Sequence, residues 1–281
     1  MNQVMGRPSL YSYNDAYSGN GVRLAMTYCV ALKLNAGLVF ASDSRTNAGV
    51  DQVASFKKMR YFTNPGDRTI VILSSGNLSI TQSAVNLLEQ RGRHAGQANI
   101  WNAESLFNVA ILLGECMREV RERDGPYLLN SNVDIGANFI LGGQIAGEQP
   151  RLFLVYAEGN FIEATETTPF FQIGETKYGK PIIDRVIQAE TSMMEAVKCV
   201  LVSFDSTMRS NISVGMPIDL ACYRWDSLTL NEVYRIDNKD AYFNTISQRW
   251  GEGLRGVFAS LPDPDWTSYP VVCPTSTESP P

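Results

Sequence analysis

The chain has 281 residues and a formal net charge of −5, with 44% of its residues hydrophobic and 19% charged. That balance can fill a sizeable packed core and excludes the disordered and fibrous classes. The acidic balance, with no block of like charges, argues against a nucleic-acid partner. No run approaches the roughly 18 apolar residues that a membrane-spanning helix needs.

Residues 1–26 are polar and rich in Gly, Ser, Asn and Tyr, lack an apolar h-region, and read as a flexible leader instead of a secretory signal. TYCVALKL then alternates, turns at Asn35-Ala36-Gly37 and returns as GLVFASD, a β-hairpin pattern apolar enough to be covered on both faces. FKKMRYF and TIVILSS form a second strand pair around Asn64-Pro65-Gly66. The period then changes. NLSITQSAVNLLEQ and NAESLFNVAILLGECMREVRERDG read as helices, the second burying Leu106, Val109, Ala110, Leu113, Met117 and Val120 on one face. Strands return at ANFILGGQ, RLFLVYA and NFIEAT, and helices at KYGKPIIDRVI and SMMEAVKCVLVSFDSTMR. The spacing predicts that the last helix buries Met194, Val197, Leu201, Phe204 and Met208. A strand pair, PIDLACYRW and TLNEVYRI, precedes the amphipathic DAYFNTISQRWGEGLRGVF. Six prolines in residues 259–281 mark a tail unable to hold regular structure. Antiparallel strand blocks separated by helix pairs indicate an α+β sandwich and not a parallel βαβ sheet. No exposed hydrophobic stripe stands out.

Five scattered cysteines, never spaced CxxC, fit small buried thiols of a reduced cytoplasmic protein. The single histidine, His94, lies in the loop-like RGRHAGQ. It argues against a zinc centre and against a Ser-His-Asp triad, whose base has to be held beside its nucleophile.

Three motifs occur in order: TYCVALKL with NAGLVFASDSRTNAG, then FKKM, then SSGN. With ILGGQ, QIGETKYGKPIIDR and RSNISVGMPIDL they resemble the proteasome β-subunit family of N-terminal-nucleophile hydrolases. That family includes the bacterial peptidase HslV and the bacterial proteasome-like group Anbu, and the likeness covers residues 27–258. It implies a four-layer αββα sandwich of two antiparallel sheets flanked by helices. It also implies a threonine-type endopeptidase acting on peptides or unfolded protein in a homo-oligomeric ring or helix, with no metal, nucleotide or organic cofactor.

Carried over position by position, Thr27 falls on the family's N-terminal threonine, Asp43 on its aspartate and Lys58 on its lysine. The spacing from Thr27 is one residue short, which leaves Lys57 as a competitor. Gly76 falls on the glycine whose N–H forms the oxyanion hole, and Ser213 on a serine beside the threonine. Asn47 and Gly49 fall where substrate is laid, and Ser74 where the first specificity pocket is shaped.

The chemistry accounts for these residue types. A threonine hydroxyl needs an adjacent base, and a free α-amine, with pKa near about 7.7–8.0, is matched to neutral pH. A lysine held by an aspartate favours the deprotonated hydroxyl, and a glycine N–H can receive the oxyanion. Each residue also has a plain reading. Thr27 and Cys29 suit a strand, Asp43 with Lys58 a structural ion pair, and Gly76 a strand end. Two positions depart from the family pattern: Glu175 stands where relatives commonly have serine, and Ser210 where they have aspartate. Met26-Thr27 reads as a translation start, with residues 1–26 an upstream misread; a chain that keeps them has no free amine at Thr27. The rival readings are a catalytically silent proteasome-like scaffold and an amidohydrolase of small amides. No GxxxxGK[ST] motif is present, so any ATPase partner would be a separate chain.

Overall fold

The computed structural model describes residues 27–47, 53–94 and 96–270. The leader 1–26, Gly49, Cys273 and the end of the tail lie outside the described residues. Residues up to Asn238 form one compact unit and those from Lys239 onward a second.

The first unit holds two five-stranded antiparallel sheets. One is ordered β10 (Phe170–Gly174), β1 (Tyr28–Leu34), β2 (Gly37–Asp43), β11 (Ile218–Arg224), β12 (Glu232–Ile236). The other is ordered β5 (Met59–Asn64), β6 (Arg68–Gly76), β7 (Ala137–Ile145), β8 (Arg151–Val155), β9 (Phe161–Glu163). Between the sheets lie Cys29, Ala31, Leu38, Phe40, Val71, Leu73 and Ile140, a core built by period-two alternation on facing strands. The outer face of the second sheet is covered by α1 (Leu78–Arg91) and α2 (Leu106–Asn130). On the first sheet, the Tyr28 ring meets Phe204 of α4 (Met193–Ser210) at 4.6 Å, and α3 (Lys180–Val186) packs beside α4. The result is four layers, αββα.

Most elements sit where the pattern puts them, and all six residues expected on the buried face of α2 are inaccessible to water. Three differences stand out. Met194 points outward, 73% exposed, and Met193 takes the core position with Ala196, Val200 and Phe204. The Ser192–Glu195 capping box fixes the start of α4 just before Met194, and further along Leu201 and Phe204 are buried as the spacing predicts while Val197 and Met208 are half-buried. α2 continues through Pro126 to Asn130, because Leu128 still packs against the core beyond the proline. Strand β10 went unrecognised, although Phe171 and Ile173 alternate inward, as did the short ribbon β3 (Arg45–Asn47) with β4 (Val53–Ser55). In the second unit, α5 (Ala241–Ser260) starts at an Asp240 cap, and the proline-rich segment holds one 3-10 turn at Trp266–Ser268.

Candidate active site

Thr27 heads β1 and is buried. The next residue, Tyr28, donates its backbone N–H to Asp43 Oδ1 at 3.0 Å, joining the head of β1 to the last residue of β2. The same oxygen accepts from Lys58 Nζ at 2.9 Å. Lys58 Nζ also donates to the Arg45 carbonyl at 2.5 Å, and the Lys58 carbonyl accepts from Ser74 N–H at 3.0 Å. Asp43 is 0% and Lys58 5% exposed, whereas Lys57 is exposed, so Lys58 is the lysine that meets the aspartate. Burial pushes the Asp43 carboxyl above the ordinary aspartate range. The Lys58 charge and the Tyr28 and Gly215 N–H groups pull it back, although Oδ2 itself completes no hydrogen bond among the described residues. A charge pair this deep is costly to break from either side, because the survivor is left uncompensated.

The other flank of Thr27 is built by β10 and the residues after it. Gly174 pairs with Tyr28 at φ +84, and a Cβ there would stand 2.0 Å from the Thr27 carbonyl, so backbone approach demands glycine. Glu175 N–H donates to that carbonyl at 2.7 Å. The Glu175 carboxylate accepts from Asn211 Nδ2 and lies 3.5 Å from Lys177 Nζ. Asn211 Oδ1 accepts from Ser213 N–H at 2.9 Å. Ser213 is thus tied to Thr27 through Asn211 and Glu175, while Ser210 is exposed at the end of α4. Sequence reasoning missed Asn211. Its signal was an asparagine directly after a helix, where side-chain-to-backbone turns are common.

Gly76 ends β6 at φ +98, and a Cβ there would meet the Gly136 carbonyl at 2.2 Å, so the fold needs glycine at this position independently of any chemistry. Ser74 is half-buried, and its carbonyl faces Cys29 Sγ at 3.6 Å, linking β6 to β1. Burial first, then the Asp43 charge, raises the Cys29 thiol well above its ordinary range, which keeps it protonated core. Asn47 pairs with Val53 in the small ribbon. The structure therefore gathers Thr27, Asp43, Lys58 and Ser213 into one bonded set and reaches Ser74 through Lys58. A cleft of about 440 Å3 opens beside Arg45, with Met208, Val214, Met216 and Asp237 in its wall. His94 is exposed, and among the described residues no cluster of three or more His, Cys, Asp or Glu could hold a metal ion.

The chain is 52% identical to Anbu (ancestral beta-subunit) from Yersinia bercovieri, covering 85% of this chain and 100% of that one with a TM-score of 0.80. The chain belongs to the Anbu family. It is 50% identical to the subunit of the helical assembly of the Anbu complex from Pseudomonas aeruginosa, with TM-score 0.82 and coverage of 86% of this chain and 100% of that one. A Gly-1 mutant of Anbu from Hyphomicrobium sp. strain MC1 is 47% identical, with TM-score 0.80 over 85% of this chain and 99% of that one. No protein-family model and no curated protein matches. Anbu membership accounts for the four-layer fold. The roles of individual residues rest on the geometry above.

Proposed function

We propose that this Anbu-family chain is a threonine-type peptidase that hydrolyses peptide bonds of peptides or unfolded protein, in a cytoplasmic homo-oligomer. The observation that carries the reading is the buried Lys58–Asp43 pair at 2.9 Å, bonded through Tyr28 N–H to the residue next to Thr27. With Thr27 as the first residue, its α-amine takes the hydroxyl proton and Oγ attacks the scissile carbonyl. Lys58 supplies a fixed positive charge that favours the alkoxide-like hydroxyl, and Asp43 holds that charge in place. The Gly76 N–H receives the oxyanion, and the amine returns the proton to the leaving nitrogen. Water then releases the acyl group from Thr27, with the same amine as base. Asn47, Gly49 and Ser74 are the proposed substrate contacts, and Ser213 is the proposed neighbour of the amine.

Self-association is supported by the helical assembly of the Pseudomonas aeruginosa relative. A cytoplasmic location is supported by four buried free thiols among the described residues and by the lack there of any helix long and apolar enough to cross a membrane. A silent scaffold is the second reading, favoured by Glu175 and Ser210 at positions where the family pattern has serine and aspartate. The test is the intact mass of protein from its native host, labelling of residue 27 by a threonine-directed electrophile, and turnover of tripeptide substrates. A chain starting at Thr27, labelled there and turning over peptide, is expected. A chain starting at Thr27 that neither labels nor turns over is the scaffold. A stable, active species that keeps residues 1–26 rules out the amine mechanism.

A further inference from the structure

We infer that the cleft beside Arg45 binds a short zwitterionic peptide with apolar side chains. Its volume, about 440 Å3, lies within the range of small-molecule sites, about 300–1,000 Å3. Four stretches of the first unit enclose it: Arg45 at the start of β3, Met208 near the end of α4, the loop from Val214 to Pro217, and Asp237 just after β12. None of the proposed substrate contacts lines it. The fold fixes its walls. Ser44 donates its N–H and its hydroxyl to the Pro217 carbonyl at 3.0 and 2.6 Å, and Arg45 Nη1 donates to the Ile212 carbonyl at 2.8 Å. A Cβ on Gly215 would stand 2.4 Å from Arg45 Cζ, so the bare backbone of Gly215 is what leaves the guanidinium its place.

The lining selects the ligand. A guanidinium has five N–H donors, and the bond to Ile212 takes one, with no second hydrogen bond from Arg45 among the described residues. Such donors match a carboxylate. Asp237 in the same wall suits an ammonium group and repels a phosphate or other polyanion. Met208, Val214, Met216 and Pro217 complete the wall with apolar surface that the two methionines can adapt. A molecule carrying a carboxylate, an ammonium and apolar side chains is a short peptide. Two residues of the wall also hold the buried pair, since the Arg45 carbonyl accepts from Lys58 Nζ and the Gly215 N–H bonds to Asp43. A ligand on Arg45 therefore acts on the pair behind it. The kinetic consequence, which rests on the peptidase reading above, is a change in kcat that saturating substrate does not remove.

The test is calorimetric titration of leucyl-leucine into the full chain carrying Thr27→Ala, which removes turnover. Binding is expected. Leucyl-leucinamide, which lacks the carboxylate, should bind about ten- to a hundredfold more weakly, the usual loss of a charged hydrogen bond. N-acetyl-leucyl-leucine, which lacks the ammonium, should lose only a few-fold, because Asp237 is exposed. Adding Arg45→Met should weaken leucyl-leucine as far as removal of its carboxylate does. Adding Met208→Trp, which fills the cleft and leaves both charges in place, should abolish binding. Circular dichroism checks both variants, and if they misfold the three ligands on the otherwise unaltered chain decide. Leucyl-leucine that does not bind overturns the site. Leucyl-leucine that binds the folded Met208→Trp variant undiminished sits in the groove beside Thr27 and overturns it too. Equal binding of all three ligands overturns the zwitterionic class. With Thr27 restored and a tripeptide substrate, an effect of leucyl-leucine on KM alone overturns the coupling to Lys58 and Asp43. A chain without turnover that binds leucyl-leucine at the cleft overturns the peptidase reading and upholds the site.

Discussion

On one flank of Thr27, Asp43 and Lys58 meet with almost no access to water, and both are anchored to backbone groups of neighbouring strands. On the other, the Glu175 carboxylate keeps some access to solvent and is held by a neutral amide, Asn211, and by the exposed Lys177. The first arrangement is rigid, because removing either charge strands the other in a low-dielectric site. The second is adjustable, because water and the exposed Lys177 can take over what a substitution removes. In the sequence reading Asp43 and Lys58 of the buried flank follow the resemblance, whereas in the other flank Ser213 follows it and Glu175 departs from it.

The largest expected effects test whether the buried flank carries chemistry. Under the proposed mechanism Thr27→Ala abolishes peptide turnover, and Lys58→Ala lowers kcat/KM by about 10²–10³-fold, the usual loss when one fixed electrostatic stabiliser is removed. Lys57→Ala, at an exposed lysine, is expected to stay within a few-fold of the parent. Steady-state assays on the three variants check this, and a dead Lys57→Ala with an active Lys58→Ala would reverse the assignment.

Stability should separate the flanks as well. Asp43→Asn leaves Lys58 buried beside a neutral group and is expected to cost about 3–5 kcal/mol, whereas Glu175→Gln is expected to cost under about 1 kcal/mol. Urea denaturation of both variants measures the difference, and equal losses would remove the contrast. Gly174→Ala is the backbone counterpart. It forces a Cβ toward the Thr27 carbonyl at φ +84, and about 1–3 kcal/mol of lost stability is expected in the same experiment.

Much of the buried flank was legible in the chain. TYCVALKL and GLVFASD alternate across a short turn, and that hairpin alone brings Thr27 and Asp43 to one end of a sheet. The choice between Lys57 and Lys58 was not legible, because adjacent residues differ only in which way each side chain points once β5 pairs with β6. The Glu175 flank was less legible still. Its partners come from β10, from the end of α4 and from the loop beyond, and only tertiary packing sets Asn211 against Glu175. Met194 failed locally, because it lies in the first turn of α4, where Met193 is the buried methionine, while Leu201 and Phe204 further along are buried as the spacing predicts.

The smallest expected effect is the most discriminating for the adjustable flank. Glu175 adjoins Thr27 through its backbone, its N–H donating to the Thr27 carbonyl at 2.7 Å, and the proposed mechanism sets its carboxylate within electrostatic range of the α-amine. A nearby negative charge favours the protonated amine and raises its pKa, and the amine serves as a base only when deprotonated. Replacing Glu175 by serine therefore lowers the amine pKa and moves the rising limb of activity to lower pH. Lys177 at 3.5 Å offsets part of the charge, and solvent reaches the carboxylate, so the shift is expected to stay below about one unit, equivalent to about 1.4 kcal/mol. Lys177→Ala should move the limb in the opposite direction, to higher pH, by removing that offset. The measurement is kcat/KM against pH for the parent and the two single variants. A limb that stays in place in both, or moves upward in Glu175→Ser, would leave Glu175 as a scaffold residue that orders Asn211 and the Ser213 loop without tuning the amine.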